Sequence, residues 1–430
     1  MKLCVRNFAK IKEADLDFNG ITVIAGDNNT GKSTIGKVMF SFFHGLRHID
    51  DMVYRTRKTE TVNSIFRFDL SLPNQGLEKV PFKESQEIFE FFRKGEYNNV
   101  TEWMERVNNY IEKKGFYATQ EGVSGPYEEL QRKIEEIWEM PSEMIEQVLI
   151  GLEFKRNFSY QINSLFGDEE EAFLGFNIKG NDIELKFEDN ECKECKCGIT
   201  LVNDAIYIDN PFVLDNLANV GGNKLFRRQE SDMTKSLLRH LKTEDNDPNA
   251  IAMILAKDKL KNVNVALKNV ISGELVKKSE DWYLHAEGFS DDIAIKQLST
   301  GLKSFVIIKR LLEADSLREK DVLILDEPEV HLHPQWQLLY AELIVLLQKA
   351  FDLTILMTTH SPYFLDAIEV FAAKHEVSNR VKYYLSDMAA DKKVSFKDVT
   401  GNIEAIYEKL AKPLQWLESE RNKIKLESRD

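Results

Sequence analysis

The chain has 430 residues, 43% of them hydrophobic, and a formal net charge of −14 at pH 7, which at about 150 residues per domain is enough for two or three globular domains with a large core. No apolar run approaches the roughly 18 residues of a membrane span, and the first residues alternate charged with apolar side chains where a signal peptide has an apolar block, so the cytoplasm is the expected compartment. The acidic balance argues against general nucleic-acid affinity, which depends on concentrated Lys and Arg, and the four cysteines, three of them crowded together, are not the paired framework of a small secreted domain.

Residues 2–8 and 14–18 alternate like paired strands, and the short apolar run at 21–25 (ITVIA) reads as a buried strand. It feeds GDNNTGKST at 26–34, the pattern G-x-x-x-x-G-K-[ST], followed by apolar residues at helical spacing, Ile35, Val38, Met39 and Phe42. A turn free of bulky side chains lets backbone N–H groups across Gly26, Asn28, Asn29, Thr30 and Gly31 curl around a di- or triphosphate, while the new helix points its positive end at the same oxygens. Lys32 adds a point charge beside the β- and γ-phosphates, Ser33 offers Mg²⁺ a hydroxyl, and Thr34 completes the motif.

The helix after this loop ends near Gly45, and residues 46–281 read as a mixed insertion within a core formed by 1–45 and 282–400. Residues 64–72 (SIFRFDLSL) look like a strand, while 82–114 and 127–166 place apolar residues at three- and four-residue steps among Glu and Lys, the mark of amphipathic helices. Residues 172–188 read as a hairpin around Gly180-Asn181, and strand-like segments continue through 199–208. A basic cluster follows, Lys224, Arg227, Arg228, Lys235, Arg239 and Lys242, with a second from Lys257 to Lys268. A solvated helical face is the ordinary account of both, and contact with a nucleic-acid backbone or an acidic partner the alternative. Cys192, Cys195 and Cys197 offer three thiols just after a strand, one short of a structural zinc set, so a reduced turn is the plainer reading.

Residues 322–325 (VLIL) form a buried parallel-strand run ending in Asp326-Glu327-Pro328, at the strand edge where an open α/β sheet places its ligand chemistry. Asp326 suits the Mg²⁺ shell, and Glu327 is placed to orient or deprotonate an attacking water. About 20 residues earlier, Ser299, Thr300 and Gly301 open a helix at 302–314 and form a candidate second anion site. A further buried strand at 353–358 delivers His360, which can hydrogen-bond a γ-phosphate oxygen or the water. His331 and His333 suggest a turn that starts a helix at Pro334 more than a metal site. Strands near 381–385 and 394–396 precede a C-terminal helix at 401–430.

Together LSTG, VLILDEPEVHLHP and TTHSP resemble the signature motif, Walker B segment and switch-histidine loop of ABC-class ATPases. Within that class the chain is similar to the AAA-family ATPases related to the overcoming-lysogenization-defect proteins and to RecF and SMC heads. Asn7-Phe8 and the loop at 26–34 match their opening, and Asp326 to Pro334 match the phrase DEPExHLHP. The resemblance covers roughly residues 1–45 and 285–370. It implies an α/β P-loop NTPase head with an antiparallel β-subdomain and a large, mainly helical insertion, using ATP and Mg²⁺. It also implies a homodimer or higher even-numbered oligomer in which Ser299, Thr300 and Gly301 of one copy face the phosphate loop of another.

The signature has Thr300 where many transporters have glycine, no glutamine loop is assigned, with Gln161 one of several candidates, and the stretch between Lys32 and Ser299 is longer than a transporter's compact nucleotide unit. About 70 residues follow His360, too few for the Toprim nuclease of some relatives, although Asp387, Asp391 and Asp398 are present. The expectation is therefore a nucleotide-gated ATPase switch in bacterial nucleic-acid surveillance, in anti-phage defence, working with a separate nuclease or other effector and touching nucleic acid directly or through it. The alternatives are a RecF- or SMC-like DNA maintenance ATPase and a self-contained nuclease using Asp387 or Asp398.

Overall fold

Alternation near the N-terminus becomes two antiparallel strands, β1 (Lys2–Phe8) and β2 (Ile11–Asp17), and the apolar run after them becomes β3 (Ile21–Gly26), every residue of which is buried. The helix α1 (Lys32–Leu46) follows the glycine-rich loop. In this computed structural model the described residues are 1–72, 91–92, 97–167, 171–217, 231–242, 260–271, 273–278, 281–286 and 288–427. They divide into one unit of Met1–Arg47 with Ile150–Asp430 and another of His48–Leu149.

The His48–Leu149 unit holds α2 (Ile49–Ser71), α3 (Val100–Lys113), α4 (Ser124–Glu139) and the start of α5 (Ser142–Asn157). The strand expected at 64–72 is instead the end of α2. Its apolar residues fit a period of two, but burial falls on Thr61, Val62, Ile65, Phe68 and Asp69, the spacing of one helical face. Ile65 and Phe68 pack with Trp103, Val107, Tyr110 and Ile134, and buried Asp69 accepts from Tyr110 Oη at 3.0 Å and Lys114 Nζ at 2.6 Å.

In the first unit β4 (Glu171–Ile178), β5 (Asn181–Glu188) and β6 (Glu191–Lys196) precede β7 (Ala205–Ile208), α6 (Asp232–Lys242) and α7 (Lys261–Lys268). A three-stranded sheet of β8 (Gly273–Lys278), β9 (Asp281–Ala286) and β10 (Ile293–Ala294) comes next, then α8 (Thr300–Glu313), β11 (Val322–Asp326), α9 (Pro334–Phe351) and β12 (Thr354–Thr359). The chain continues through α10 (Pro362–Lys374), β13 (Val381–Met388), β14 (Val394–Asp398) and α11 (Glu404–Glu427). The β4–β5 hairpin turns on Lys179-Gly180, one residue before the expected pair. Both have positive φ, as a two-residue reversal of this kind demands. Cys192 and Cys195 lie within β6, whereas a turn beyond a strand was expected. Lys224, Arg227, Arg228 and Lys257 lie outside the described residues.

Among the described residues, eleven strands form one sheet in the order β6-β5-β4-β1-β2-β14-β13-β3-β12-β11-β7. The run β13-β3-β12-β11-β7 is parallel, while β1 with β2 and β4 through β6 pair antiparallel. The strands 171–208, expected inside an insertion, thus belong to the main sheet. Parallel strands covered on both faces need continuous apolar sequence, which VLIL and ITVIA supply. Val23, Leu323, Leu325, Ile355 and Met357 pack with Phe305, Ile308, Tyr340, Leu343, Phe364 and Ile368 of α8, α9 and α10 in one core. From α1, Ile35, Val38, Met39 and Phe42 are fully buried, each contributing about 1.5–3 kcal/mol. A Cβ on Gly36 would stand 3.1 Å from both Ile324 and Tyr207, so α1 runs close against the strands. Burial of this kind fixes where the loop between β3 and α1 sits.

Candidate functional site

The parallel register aligns the carboxyl ends of four strands. Asp326 of β11 pairs with Thr358 of β12, Thr359 with Ala25, and Ser386 of β13 with Gly26. The loop of residues 26–34 rises from the middle of this edge. Gly26, at φ 153°, has no room for a side chain, because a Cβ would overlap Ser386 Oγ and stand 2.7 Å from its carbonyl oxygen. Asn29 and Gly31 have φ of 66° and 71°, so the chain curls before α1 starts. Thr30 Oγ1 donates to Asp27 O at 2.7 Å and lies 2.6 Å from Ser386 Oγ, and Lys10 Nζ donates to Asn29 Oδ1 at 2.7 Å. Asn28 is exposed. Gly31 caps α1 without a side-chain bond to the first-turn N–H groups, which leaves those donors and the helix's positive end for an anion.

Lys32 is buried, with Nζ donating to Gly26 O at 3.1 Å and Asp27 O at 2.9 Å and 3.5 Å from Glu327 Oε1. Ser33 Oγ donates to Asp326 Oδ1 at 3.0 Å. Asp326 also accepts from Thr358 Oγ1 at 2.5 Å and, on Oδ2, from Tyr207 Oη at 2.8 Å. Three donors on one carboxylate fix its plane, and a serine hydroxyl beside it makes a hard oxygen pair. That donor set fits Mg²⁺, which prefers one or two protein oxygens together with substrate phosphate and water.

Glu327 has φ 50°, which breaks the regular strand alternation after Asp326, and its N–H donates to Thr358 Oγ1 at 3.0 Å. Its Oε1 lies 3.5 Å from His360 Nδ1 as well as 3.5 Å from Lys32 Nζ. His360 is 41% exposed in its side chain and Glu327 31%, so a water or a phosphate oxygen can reach both.

The sequence reading missed several residues of this edge. Glu329 is 3% exposed and its Oε1 accepts from Thr359 Oγ1 at 2.5 Å and His360 N at 3.0 Å, which ties the histidine loop to the turn after β11. Burial pushes this carboxyl above its ordinary range, against the pull of those donors. Ser361 Oγ donates to Gln337 Oε1 at 2.8 Å, holding the same loop against α9. Tyr207, Ser386 and Lys409 were missed too, and Lys409 Nζ reaches Asp387 at 2.6 Å and Asp27 at 3.5 Å. Only Glu329, inside the phrase DEPEVHLHP, carried any signal. The register of Ile208 with Leu325 brings the next residues, Asp209 and Asp326, out together at the carboxyl edge.

Ser299 caps α8 by accepting from Leu302 N at 3.4 Å, and it is exposed. Gly301 is buried, and a Cβ there would meet His331 O and the Trp336 ring at 3.1 Å, so this glycine lets α8 approach the turn before α9. Thr300 is half-buried. Gln161 lies in a turn after α5, its N–H bonded to Phe158 O. His333 caps α9 ahead of Pro334, and His331 packs edge-on to Phe212. Asp387, Asp391 and Asp398 have separate partners, Lys409 Nζ, Lys393 N and Thr400 N. Among the described residues no three His, Cys, Asp or Glu side chains gather to hold a metal, and no helix is long and apolar enough to cross a membrane.

The AAA ATPase domain family matches residues 1–365 of this chain. Among solved structures the chain is similar to the SMC head domain from Thermotoga maritima, at 11% identity with a TM-score of 0.40, covering 93% of this chain and 98% of that one. It is also similar to the Smc head domain with an extended coiled coil bound to the C-terminal domain of ScpA from Pyrococcus furiosus, at 10% identity and a TM-score of 0.39, covering 95% and 98%.

Proposed function

This chain belongs to the AAA ATPase domain family, and on that premise we propose that it binds and hydrolyses ATP at the edge formed by residues 26–34, Asp326, Glu327 and His360. The carrying observation is the set of contacts that joins Ser33 to Asp326 at 3.0 Å and Glu327 to both Lys32 and His360 at 3.5 Å. Gly26, Asn28, Asn29, Thr30, Gly31 and Thr34 line the triphosphate with backbone N–H groups, and Lys32 swings from the loop carbonyls onto its β- and γ-oxygens. Ser33 and Asp326 would hold Mg²⁺, which when bound would supply neutralisation of phosphate charge. Glu327 accepts the proton of a water directed at the γ-phosphorus, and His360 donates to a γ-oxygen. Electrostatic positioning of this kind supplies most of the catalysis in phosphoryl transfer.

In the same reading two copies share the nucleotides. Ser299, Thr300 and Gly301 of one copy close on the γ-phosphate held by the other, so ATP joins the pair and hydrolysis releases it. Support comes from the exposure of Ser299 at a helix start. The order of Asn7-Phe8, the phosphate loop and DEPEVHLHP, which resembles that of the overcoming-lysogenization-defect group, supports a role for the switch in nucleic-acid surveillance against phage, acting through a separately encoded nuclease or other effector.

The test is direct. Lys32→Ala abolishes ATP binding, while Glu327→Gln retains ATP and accumulates a nucleotide-bound dimer, read by scattering-coupled chromatography with phosphate release measured alongside. Equal hydrolysis by wild type and Glu327→Gln removes the glutamate from this scheme. Affinity capture from the native host recovers the effector, and steep, salt-sensitive, ATP-dependent DNA binding by this chain alone would replace the surveillance reading with DNA maintenance.

A further inference from the structure

The three clustered cysteines take no part in the nucleotide edge, and β6 arranges them in a way their spacing conceals. Residues three apart on a regular strand point to opposite faces. Between Lys186 and Phe187 the register of β5 with β6 shifts by a residue, so Cys192 stands opposite Phe187 and Cys195 opposite Leu185. Phe187 and Leu185 share one face of β5, so Cys192 and Cys195 share it too. Cys197, two residues on, joins them.

Their surroundings then separate them. Cys192 lies under α5, its Cβ 2.9 Å from the place a Cβ on Gly151 would take, and its thiol donates to Glu194 O at 3.5 Å. Burial pushes that thiol up to about 12, so it stays protonated and inert. Cys195, in the outermost strand of the large sheet, and Cys197, just past that strand's end, are half-buried with their Sγ atoms 3.0 Å apart. A disulfide needs about 2.05 Å, so closure asks for about 1 Å of side-chain movement beside a strand that, among the described residues, pairs on one edge alone.

We propose that Cys195 and Cys197 are a reversible dithiol modification site that reacts with low-molecular-weight disulfides of the glutathione class. One of the two thiols loses its proton and its sulfur attacks a sulfur of the small disulfide. A protein–glutathione mixed disulfide forms, and one glutathione thiolate leaves. The neighbouring cysteine gives up its proton and attacks the protein-side sulfur of that bond, forming the Cys195–Cys197 disulfide and expelling the second glutathione. The pair loses two electrons and two protons, and the small disulfide gains both as two thiols. The second step is intramolecular between neighbouring sulfurs, so it outruns accumulation of the mixed disulfide.

The full chain, reduced and freed of reductant, is exposed to oxidised glutathione without oxygen, quenched in acid, alkylated, and weighed intact and as peptides. Wild type is expected to lose two hydrogens and two of its four alkylatable thiols, with the bond mapped to the peptide holding Cys195 and Cys197, no lasting glutathione adduct, and full reversal by dithiothreitol. Cys195→Ser and Cys197→Ser each keep one glutathionyl group, because the resolving thiol is gone, and Cys192→Ser behaves as wild type. The proposal is overturned if wild type keeps all four thiols, if it retains a stable glutathione adduct, or if Cys192→Ser abolishes the reaction.

Discussion

Replacing Glu329 with alanine removes the acceptor shared by Thr359 Oγ1 at 2.5 Å and His360 N at 3.0 Å. Bonds to a charged acceptor contribute about 1.5–3 kcal/mol each, so the pair amounts to about 3–6 kcal/mol before costs. The costs are real here, because the carboxylate is buried and its Oε2 has no hydrogen-bond partner among the described residues, and a desolvated charge gives back part of what it gains. A net loss of about 2–4 kcal/mol is expected for Glu329→Ala, and less than about 1 kcal/mol for Glu329→Gln, whose amide oxygen still accepts from both donors without burying a charge. The two variants separate further with pH. Burial raises the Glu329 carboxyl, so the stability it confers is full below the unfolded carboxylate value and declines as pH rises through the folded one; Glu329→Gln removes that share of the slope. Catalysis follows the loop. Glu329→Ala frees His360 while leaving Lys32, Ser33 and Asp326 intact, so kcat falls with little change in ATP affinity, and Glu329→Gln retains most activity. Urea unfolding and phosphate-release kinetics measure both effects. A Glu329→Ala protein with wild-type stability and wild-type kcat would refute the reasoning.

Tyr207→Phe deletes the 2.8 Å bond to Asp326 Oδ2 and should weaken Mg²⁺-dependent nucleotide binding on the order of tenfold, or about 1.4 kcal/mol; a calorimetric loss of equal size without Mg²⁺ would contradict the link through Asp326. Ser299→Arg and Lys32→Ala are each expected to be inactive alone and, mixed, to recover about a quarter of wild-type hydrolysis, since half the pairs are mixed and each has one intact pocket of two; no recovery after verified subunit exchange argues against a shared pocket. His44 Nδ1 lies 2.9 Å from Glu153 Oε1. Burial alone would lower its proton affinity, but the hydrogen bond and charge of Glu153 outweigh it and raise the value above 6.5. Its stabilisation is therefore full below about pH 6.5 and lost as pH rises through the folded value. His44→Gln should flatten the decline of urea midpoint above neutrality; an unchanged slope rules the pair out as its source.

The parts of the site legible in the sequence are those where neighbours along the chain are neighbours in space. Gly26 to Thr34 are consecutive, and Asp326 follows four buried apolar residues that could only be an interior strand. Tyr207 and Ser386 were not legible because the sheet order brings them in from far away, 119 positions from Asp326 and 356 from Thr30. The error at 64–72 has a different cause. Apolar residues at 66, 68, 70 and 72 satisfy a two-residue period by accident, and the buried polar residues that reveal the helical face, Thr61 and Asp69, carry no weight in a hydrophobic pattern. The cysteines show a third cause. A one-residue bulge turns an odd spacing into one face, and nothing in C-x-x-C announces a bulge.

Asp326, Glu327 and Glu329 fall within four positions, yet they hold three different environments, and the backbone is what separates them. Asp326 is still in β11 and follows the strand direction toward Ser33, Thr358 and Tyr207. The left-handed turn at Glu327, a conformation that costs a non-glycine residue on the order of 1 kcal/mol, breaks the alternation and swings its carboxylate to the Lys32 and His360 side. Two residues later the chain has turned inward, so Glu329 is buried and holds the loop that carries His360. A chain that continued β11 as a regular strand would send Asp326 and Glu327 to opposite faces of the sheet. A metal-holding carboxylate and a water-activating carboxylate must share one pocket without sharing one set of donors. In the proposed scheme, the left-handed turn at Glu327 meets both conditions by giving two adjacent acids separate partners, Ser33 for Asp326 and Lys32 with His360 for Glu327.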